Sequence, residues 1–272
     1  VLVPNLVNPF FMRIIGGIEQ AAQEKGFSVL LGDTQGSPAR EHEYASMVLT
    51  NRADGLIQLE HSFQFSDADD DLAEDLPMVS VCERIASEKK YPVIELDNYA
   101  ASRALAHHLL GYGHKHFAAI VGQVSSKIYR ERLAGIRSVL QEEQIPFEQA
   151  QITGGAYTIE AGIAGVEHLL SLPQRPTAIF CFNDDIAIGA VHAIKKAGLR
   201  VPEDISVVGF DNIKVSAFID PPLTTVDQPA YDMGRRAVEV LVSQIRGEPL
   251  VRSKEVLPFQ LIERESSGPA PL

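Results

Sequence analysis

Thr177-Ala178-Ile179-Phe180-Cys181-Phe182-Asn183-Asp184-Asp185-Ile186-Ala187-Ile188-Gly189-Ala190-Val191-His192-Ala193-Ile194-Lys195-Lys196-Ala197-Gly198, followed by Ile205-Ser206-Val207-Val208-Gly209-Phe210-Asp211, decides the fold. Residues 177–182 are a short apolar run of strand length. Ala187, Ala190, Val191 and Ile194 then recur at the spacing of one helix face, which predicts a helix over 184–197. Gly198 is a natural C-terminal cap, and Pro202 prevents the helix from continuing. Residues 205–210 form the next apolar run, a second strand.

The same alternation extends in both directions. Towards the C-terminus it predicts a strand at 223–226, a helix from Pro229 to about 246 and two short apolar stretches within 255–262. The tail, 266–272, is rich in Pro, Gly and Ser and is expected to fray. Towards the N-terminus, strands are expected at 1–4, 27–32, 55–60, 77–82, 93–97, 116–122 and 151–154. Helices are expected at 9–25, 38–51, 98–110, 130–143 and 158–172. Asn8 suits an N-cap and Pro9 a first helical position. Residues 61–75 are acidic and weakly patterned, which predicts a loop with a short helix. Strands alternating with helices imply parallel sheets with helices on both faces. About ten strands exceed one comfortable sheet, so the fold class expected is α/β in two similar lobes, each with its own parallel sheet.

Bulk properties narrow the function. The 272 residues carry a net charge of −12, with 45% apolar and 22% charged side chains. This is globular composition, and the negative charge argues against this segment gripping duplex DNA, which needs Lys and Arg against phosphate. Cys82 and Cys181 lie in separate apolar runs and read as core thiols. No apolar run approaches the ~18 residues of a membrane span. The chain opens directly on a strand without a signal peptide, so a preceding segment is expected. No phosphate loop, dinucleotide fingerprint, HExxH or GxSxG elbow is present. His114 and His116 share strand spacing but have no neighbouring carboxylate, and Asp67, Asp69, Asp70, Asp71 and Glu74 lack the pattern of a calcium loop. The expectation is no cofactor, no metal and no enzyme.

Parallel α/β sheets bind ligands beyond the carboxyl ends of their strands. Asn8, Phe10 and Phe11 follow the first strand. Asp97 and Asn98, then Asn183, Asp184 and Asp185, then Asp211 and Asn212, then Asp227 and Gln228 follow later ones. Arg132 lies in the helix after the strand ending at Gly122, and Tyr157 follows 151–154. Carboxylates, amides and a guanidinium bind hydroxyls, and aromatic rings cover the C–H faces of a sugar. Taken singly, Asn8, Asn98 and Asp184 read more simply as helix caps, and Phe10 and Phe11 as core. The set together reads as a sugar site.

The strings Asn8-Pro9-Phe10-Phe11, Ala53-Asp54-Gly55-Leu56-Ile57, Gly113-His114, Arg132-Leu133-Ala134-Gly135 and Asn183-Asp184-Asp185 carry a resemblance. So does the long run Val201-Pro202-Glu203-Asp204-Ile205-Ser206-Val207-Val208-Gly209-Phe210-Asp211-Asn212, with Pro222-Leu223-Thr224-Thr225 and Gln228-Pro229 after it. Together they resemble the effector domain of the lactose/galactose (LacI/GalR) repressor family, and 204–229 most resembles its cytidine-repressor branch. The resemblance implies a periplasmic-binding-protein-like fold with a three-strand hinge. One lobe would comprise 1–97 plus 228–256, the other 98–227 plus 257–272. It implies a homodimer, a cytoplasmic location, and an N-terminal helix-turn-helix domain, absent from this chain, that binds operator DNA. A small-molecule effector, a nucleoside or pentose, would bind in the interlobe cleft and alter operator affinity. The pentose pattern of the related ribose-binding proteins is matched by Asn8, Phe10, Phe11, Asp97, Arg132, Asn183, Asp211 and Gln228, with Tyr157 at an aromatic position. Ser126 and Ile128 replace the Arg and Thr with which the purine repressor reads its base. Cys82-Glu83-Arg84 replaces the common Asp-Arg, which makes Glu83 a candidate acceptor for an exocyclic amine. The competing reading is a periplasmic ribose- or sugar-binding protein for transport.

Overall fold

The computed structural model describes residues 1–50, 52–59, 76–83, 91–249 and 252–271. The acidic cluster at 67–74 and Arg84 lie outside the described residues. The chain divides into two compact units, Val1–Leu96 with Pro229–Pro258, and Asp97–Gln228 with Phe259–Leu272. It therefore passes between units three times.

In the first unit the strands are β1 (Leu2–Val3), β2 (Gly32–Asp33), β3 (Leu56–Gln58), β4 (Met78–Val81), β5 (Val93–Leu96) and β11 (Lys254–Leu257). They form one parallel sheet in the order β11-β5-β4-β3-β1-β2. Helices α1 (Pro9–Glu24) and α7 (Ala230–Ile245) pack side by side. Their backbones touch: a Cβ on Gly17 would stand 2.0 Å from the Tyr231 carbonyl, and one on Gly234 2.1 Å from that of Ile14. Leu241 of α7 packs over Gly55. Alternation puts Leu2 and Leu56 on the other face, with Met78 and Tyr44 of α2 (Pro38–Leu49).

The second unit holds β6 (Phe117–Val121), β7 (Ile152–Gly154), β8 (Ala178–Cys181) and β9 (Ser206–Val208), paired in parallel as β7-β6-β8-β9. Bridges Val208 to Thr224 and Asp211 to Asp227 carry the sheet on to β10 (Thr225–Asp227), which pairs antiparallel with β12 (Gln260–Ile262). The order β7-β6-β8-β9-β10-β12 repeats that of the first unit, β2-β1-β3-β4-β5-β11, except that the last strand is reversed. Helices α3 (Asn98–Gly111) and α4 (Lys127–Glu142) form one pair, α5 (Ile159–Leu170) and α6 (Asp184–Lys196) another. Phe117 and Phe180 stack at 5.7 Å in the core of this unit. The α/β class with parallel sheets and helices on both faces is thus as the alternation implied.

Two local expectations are corrected. The run 27–31 forms no ladder, and only Gly32–Asp33 pairs. Leu30 and Leu31 are 56% and 45% exposed at the sheet edge, where β2 has no second neighbour strand among the described residues. The tail is docked rather than frayed. Ser266 Oγ donates to the Val207 carbonyl and accepts from Thr224 N, and Gly268 N donates to Ser206 Oγ. These bonds satisfy backbone groups at the outer side of β9, so small polar residues are what the position needs.

Candidate functional site

Because β6, β8 and β9 run parallel, Gly122, Phe182-Asn183 and Phe210-Asp211 emerge at one edge of the second unit's sheet, joined by Gln228 after β10. Arg132, on α4, is the hub of this edge and only 4% exposed. Its Nε donates to Asn98 Oδ1 at 2.9 Å and its Nη1 to the Phe182 carbonyl. Its guanidinium lies on the Phe210 ring, 3.4 Å from the centroid. Three contacts from three elements fix a side chain that would otherwise be among the most mobile.

Asp211 sits beside this cation, also buried, and accepts from Gln228 Nε2 at 2.6 Å. Burial pushes its carboxyl well above the usual range, against the pull of Arg132. Its backbone, at φ +111°, and that of Asn212, at φ +51°, lie in the left-handed region, a costly conformation for non-glycine residues that functional sites retain. Asp184 is fully buried, and its acid is pushed up to about 7 by burial. Asp185 is also raised, by burial and then by Glu160.

The remaining expected residues divide. Asn183 is buried and caps α6, accepting from Ile186 N at 2.9 Å. Asp97 is exposed and caps α3, accepting from Ala100 N at 2.8 Å. Tyr157 lays its ring over Gly122, where a Cβ would stand 2.0 Å from the ring. The structure thus gathers Arg132, Asn183, Asp211, Gln228 and Tyr157 at one edge of the second unit.

In the first unit, Asn8 caps α1, accepting from Phe10 N at 2.9 Å. Phe10 is buried and Phe11 half-buried, their rings tilted 59° at 5.4 Å. Glu83 is 4% exposed and follows β4 after Cys82, whose φ is +73°. These four stand after β1 and β4, at the carboxyl edge of their own sheet.

Capping is therefore the role of Asn8 but not of the other two residues weighed for it. Asn98 holds Arg132, and Asp184 accepts from Ile213 N and the Thr225 hydroxyl. The sequence reading missed the Phe210 ring and the Phe182 carbonyl as supports of Arg132. An aromatic within a strand carries no mark that separates a platform from core. His114 is structural: its Nδ1 meets Thr177 Oγ1 at 2.9 Å and its Nε2 the Gly268 carbonyl at 3.0 Å. A carbonyl only accepts, so Nε2 carries the hydrogen, and burial lowers the imidazole's pKa. Among the described residues no group of three metal-ligating side chains converges, and no helix is long and apolar enough to cross a membrane.

Comparison with known proteins shows the chain's family and fold. Residues 106–267 match the periplasmic binding protein-like domain family. The chain is 36% identical over 271 residues to the HTH-type transcriptional repressor CytR of Escherichia coli (strain K12), covering 100% of this chain and 79% of the relative. It is 32% identical over 248 residues to the ribose operon repressor of Haemophilus influenzae, covering 90% and 73%. Among solved structures, the transcription regulator CcpA of Lactococcus lactis aligns with a TM-score of 0.88 at 25% identity, over 98% of this chain and 97% of that one. A LacI family transcriptional regulator from Enterococcus faecium with bound ribose aligns at 0.87 and 28% identity, over 98% and 97%. By sequence along its whole length and by fold, the chain belongs to the periplasmic-binding-protein-like effector domains of the LacI/GalR family of transcriptional repressors.

Proposed function

We propose that this chain senses a pentose or a nucleoside and transmits its presence to an operator-binding domain that precedes it. The observation that carries the reading is the buried set Arg132, Asp211 and Gln228 at the strand ends of the second unit. It offers a fixed cation, an acid and an amide to hydroxyl groups, beside the rings of Tyr157 and Phe210. Each hydrogen bond to a charged partner contributes ~1.5–3 kcal/mol, so three or four suffice for micromolar affinity. Asp97 and Asn183 of the same unit are proposed to add to these contacts, and Asn8, Phe10, Phe11 and Glu83 are proposed as ligand-binding residues at the strand ends of the first unit. The bound ribose of the Enterococcus faecium regulator and the name of the Haemophilus influenzae repressor support a pentose.

The effector would act by shifting a two-state equilibrium, which requires different affinities for the two states. The protein would work in the cytoplasm as a homodimer. The test is operator affinity of the full-length protein, measured by fluorescence anisotropy with and without D-ribose or cytidine. The reading expects a change of at least about tenfold, or ~1.4 kcal/mol of coupling. Unchanged affinity at saturating effector would overturn it.

A further inference from the structure

The effector loop after β9 is held from beneath by a carboxylate that spends its acceptors inside the protein. Asp184 opens α6, and its side chain is completely buried. Its Oδ2 accepts from Ile213 N at 2.9 Å, and its Oδ1 accepts from the Thr225 hydroxyl at 2.6 Å. The Gly209 backbone runs against the same group, since a Cβ there would stand 2.3 Å from Oδ1. One side chain thus touches the loop on both sides of Asp211 and ties it to β10. Between those two contacts lie the left-handed residues Asp211 and Asn212.

We propose that Asp184 is the positioning residue of the effector site, setting the backbone of Asp211 without touching the ligand. The inference rests on the reading that Asp211 grips the effector. A left-handed pair relaxes towards ordinary backbone unless its neighbours over-determine it, and the two bonds to Asp184 do so. Asparagine preserves the arrangement: its oxygen accepts from Ile213 N, while its amide donates to Thr225 Oγ1. Alanine leaves both donors buried without an acceptor.

The test compares wild type, Asp184→Asn and Asp184→Ala by two readouts. Calorimetric titration gives the Kd for D-ribose and for cytidine, and hydrogen–deuterium exchange gives local opening of 209–216. Asp184→Ala should weaken binding by about tenfold or more, as a site loosened by its support does. Asp184→Asn should return Kd to within about threefold of wild type. Exchange in 209–216 should rise in the alanine variant well beyond that in β8 and the rest of α6. An alanine variant with uniformly faster exchange and unchanged Kd would show a merely structural carboxylate and overturn the proposal. If wild type binds neither probe, the effector reading fails, and exchange alone decides: a rise confined to 209–216 supports the positioning role, a uniform rise refutes it.

Discussion

Replacing Arg132 by alanine tests how the second unit's strand edge is held together. The substitution removes a charged donor from Asn98 Oδ1 at 2.9 Å, another from the Phe182 carbonyl, and a cation from the Phe210 ring at 3.4 Å. Two charge-assisted hydrogen bonds contribute ~3–6 kcal/mol together, and a desolvated cation–ring contact adds about 2. Relief from burying the guanidinium offsets part of this. Removing one partner from a buried charged network costs about 3–5 kcal/mol on balance. The expected fall in melting temperature is roughly 6–20 °C, at 2–4 °C per kcal/mol for a unit of this size. The assay is differential scanning calorimetry without effector, alongside Arg132→Lys. Lysine keeps the charge but cannot reproduce the fork, and should recover less than half of the loss. A fall below about 2 °C for the alanine variant would show instead that the three contacts carry no net stability.

Other expectations follow from the same geometry. Asp184 has an acid raised from 3.8 to about 7 by burial. A group raised in the fold contributes stability that is complete below its unfolded value and is lost as pH rises through 7. Between pH 4 and 7, urea midpoints should therefore show wild type losing about 1.4 kcal/mol per pH unit relative to Asp184→Asn; parallel profiles would contradict this. Deleting the tail from Ser266 removes the bonds to Val207, Thr224, Ser206 and His114. The tail's bonds to Pro222, Tyr112 and His108 go with them; at about 1 kcal/mol each, the loss should be at least about 4 kcal/mol in urea unfolding, whereas an unchanged midpoint would mean the tail is dispensable. Gly189→Ala would place a Cβ 2.0 Å from the Ile159 carbonyl. It should destabilise by about 1–3 kcal/mol despite alanine's better helix propensity, and a gain in stability would show that α5 and α6 can part.

The alternation of strands and helices was legible because parallel strands are short apolar runs and each helix bears one apolar stripe. The segment 177–211 shows this most plainly, with β8, α6 and β9 at the expected places. Residues 27–31 misled because an apolar run guarantees neither pairing nor burial: Leu30 and Leu31 stay exposed at a sheet edge. Composition misled at the tail. Ser266, Ser267 and Gly268 are what a flexible end looks like, and also what a backbone-satisfying strap needs. At the candidate site, the strand-end position of Arg132, Asp211 and Gln228 could be read, but the division of labour among neighbours could not. Asn183 caps while Asp184 clamps, and only the placement of Ile213 and Thr225 distinguishes them.

A pentose-containing effector is proposed to bind at the second unit's strand edge. Isothermal titration of wild type, Arg132→Ala and Asp211→Asn with D-ribose, cytidine, hypoxanthine and D-glucose tests it most directly. Wild type should bind ribose or cytidine, and each substitution should weaken this by about a hundredfold, the loss of one or two charge-assisted hydrogen bonds. Binding of hypoxanthine alone, or of ribose with unchanged affinity in both variants, would contradict it.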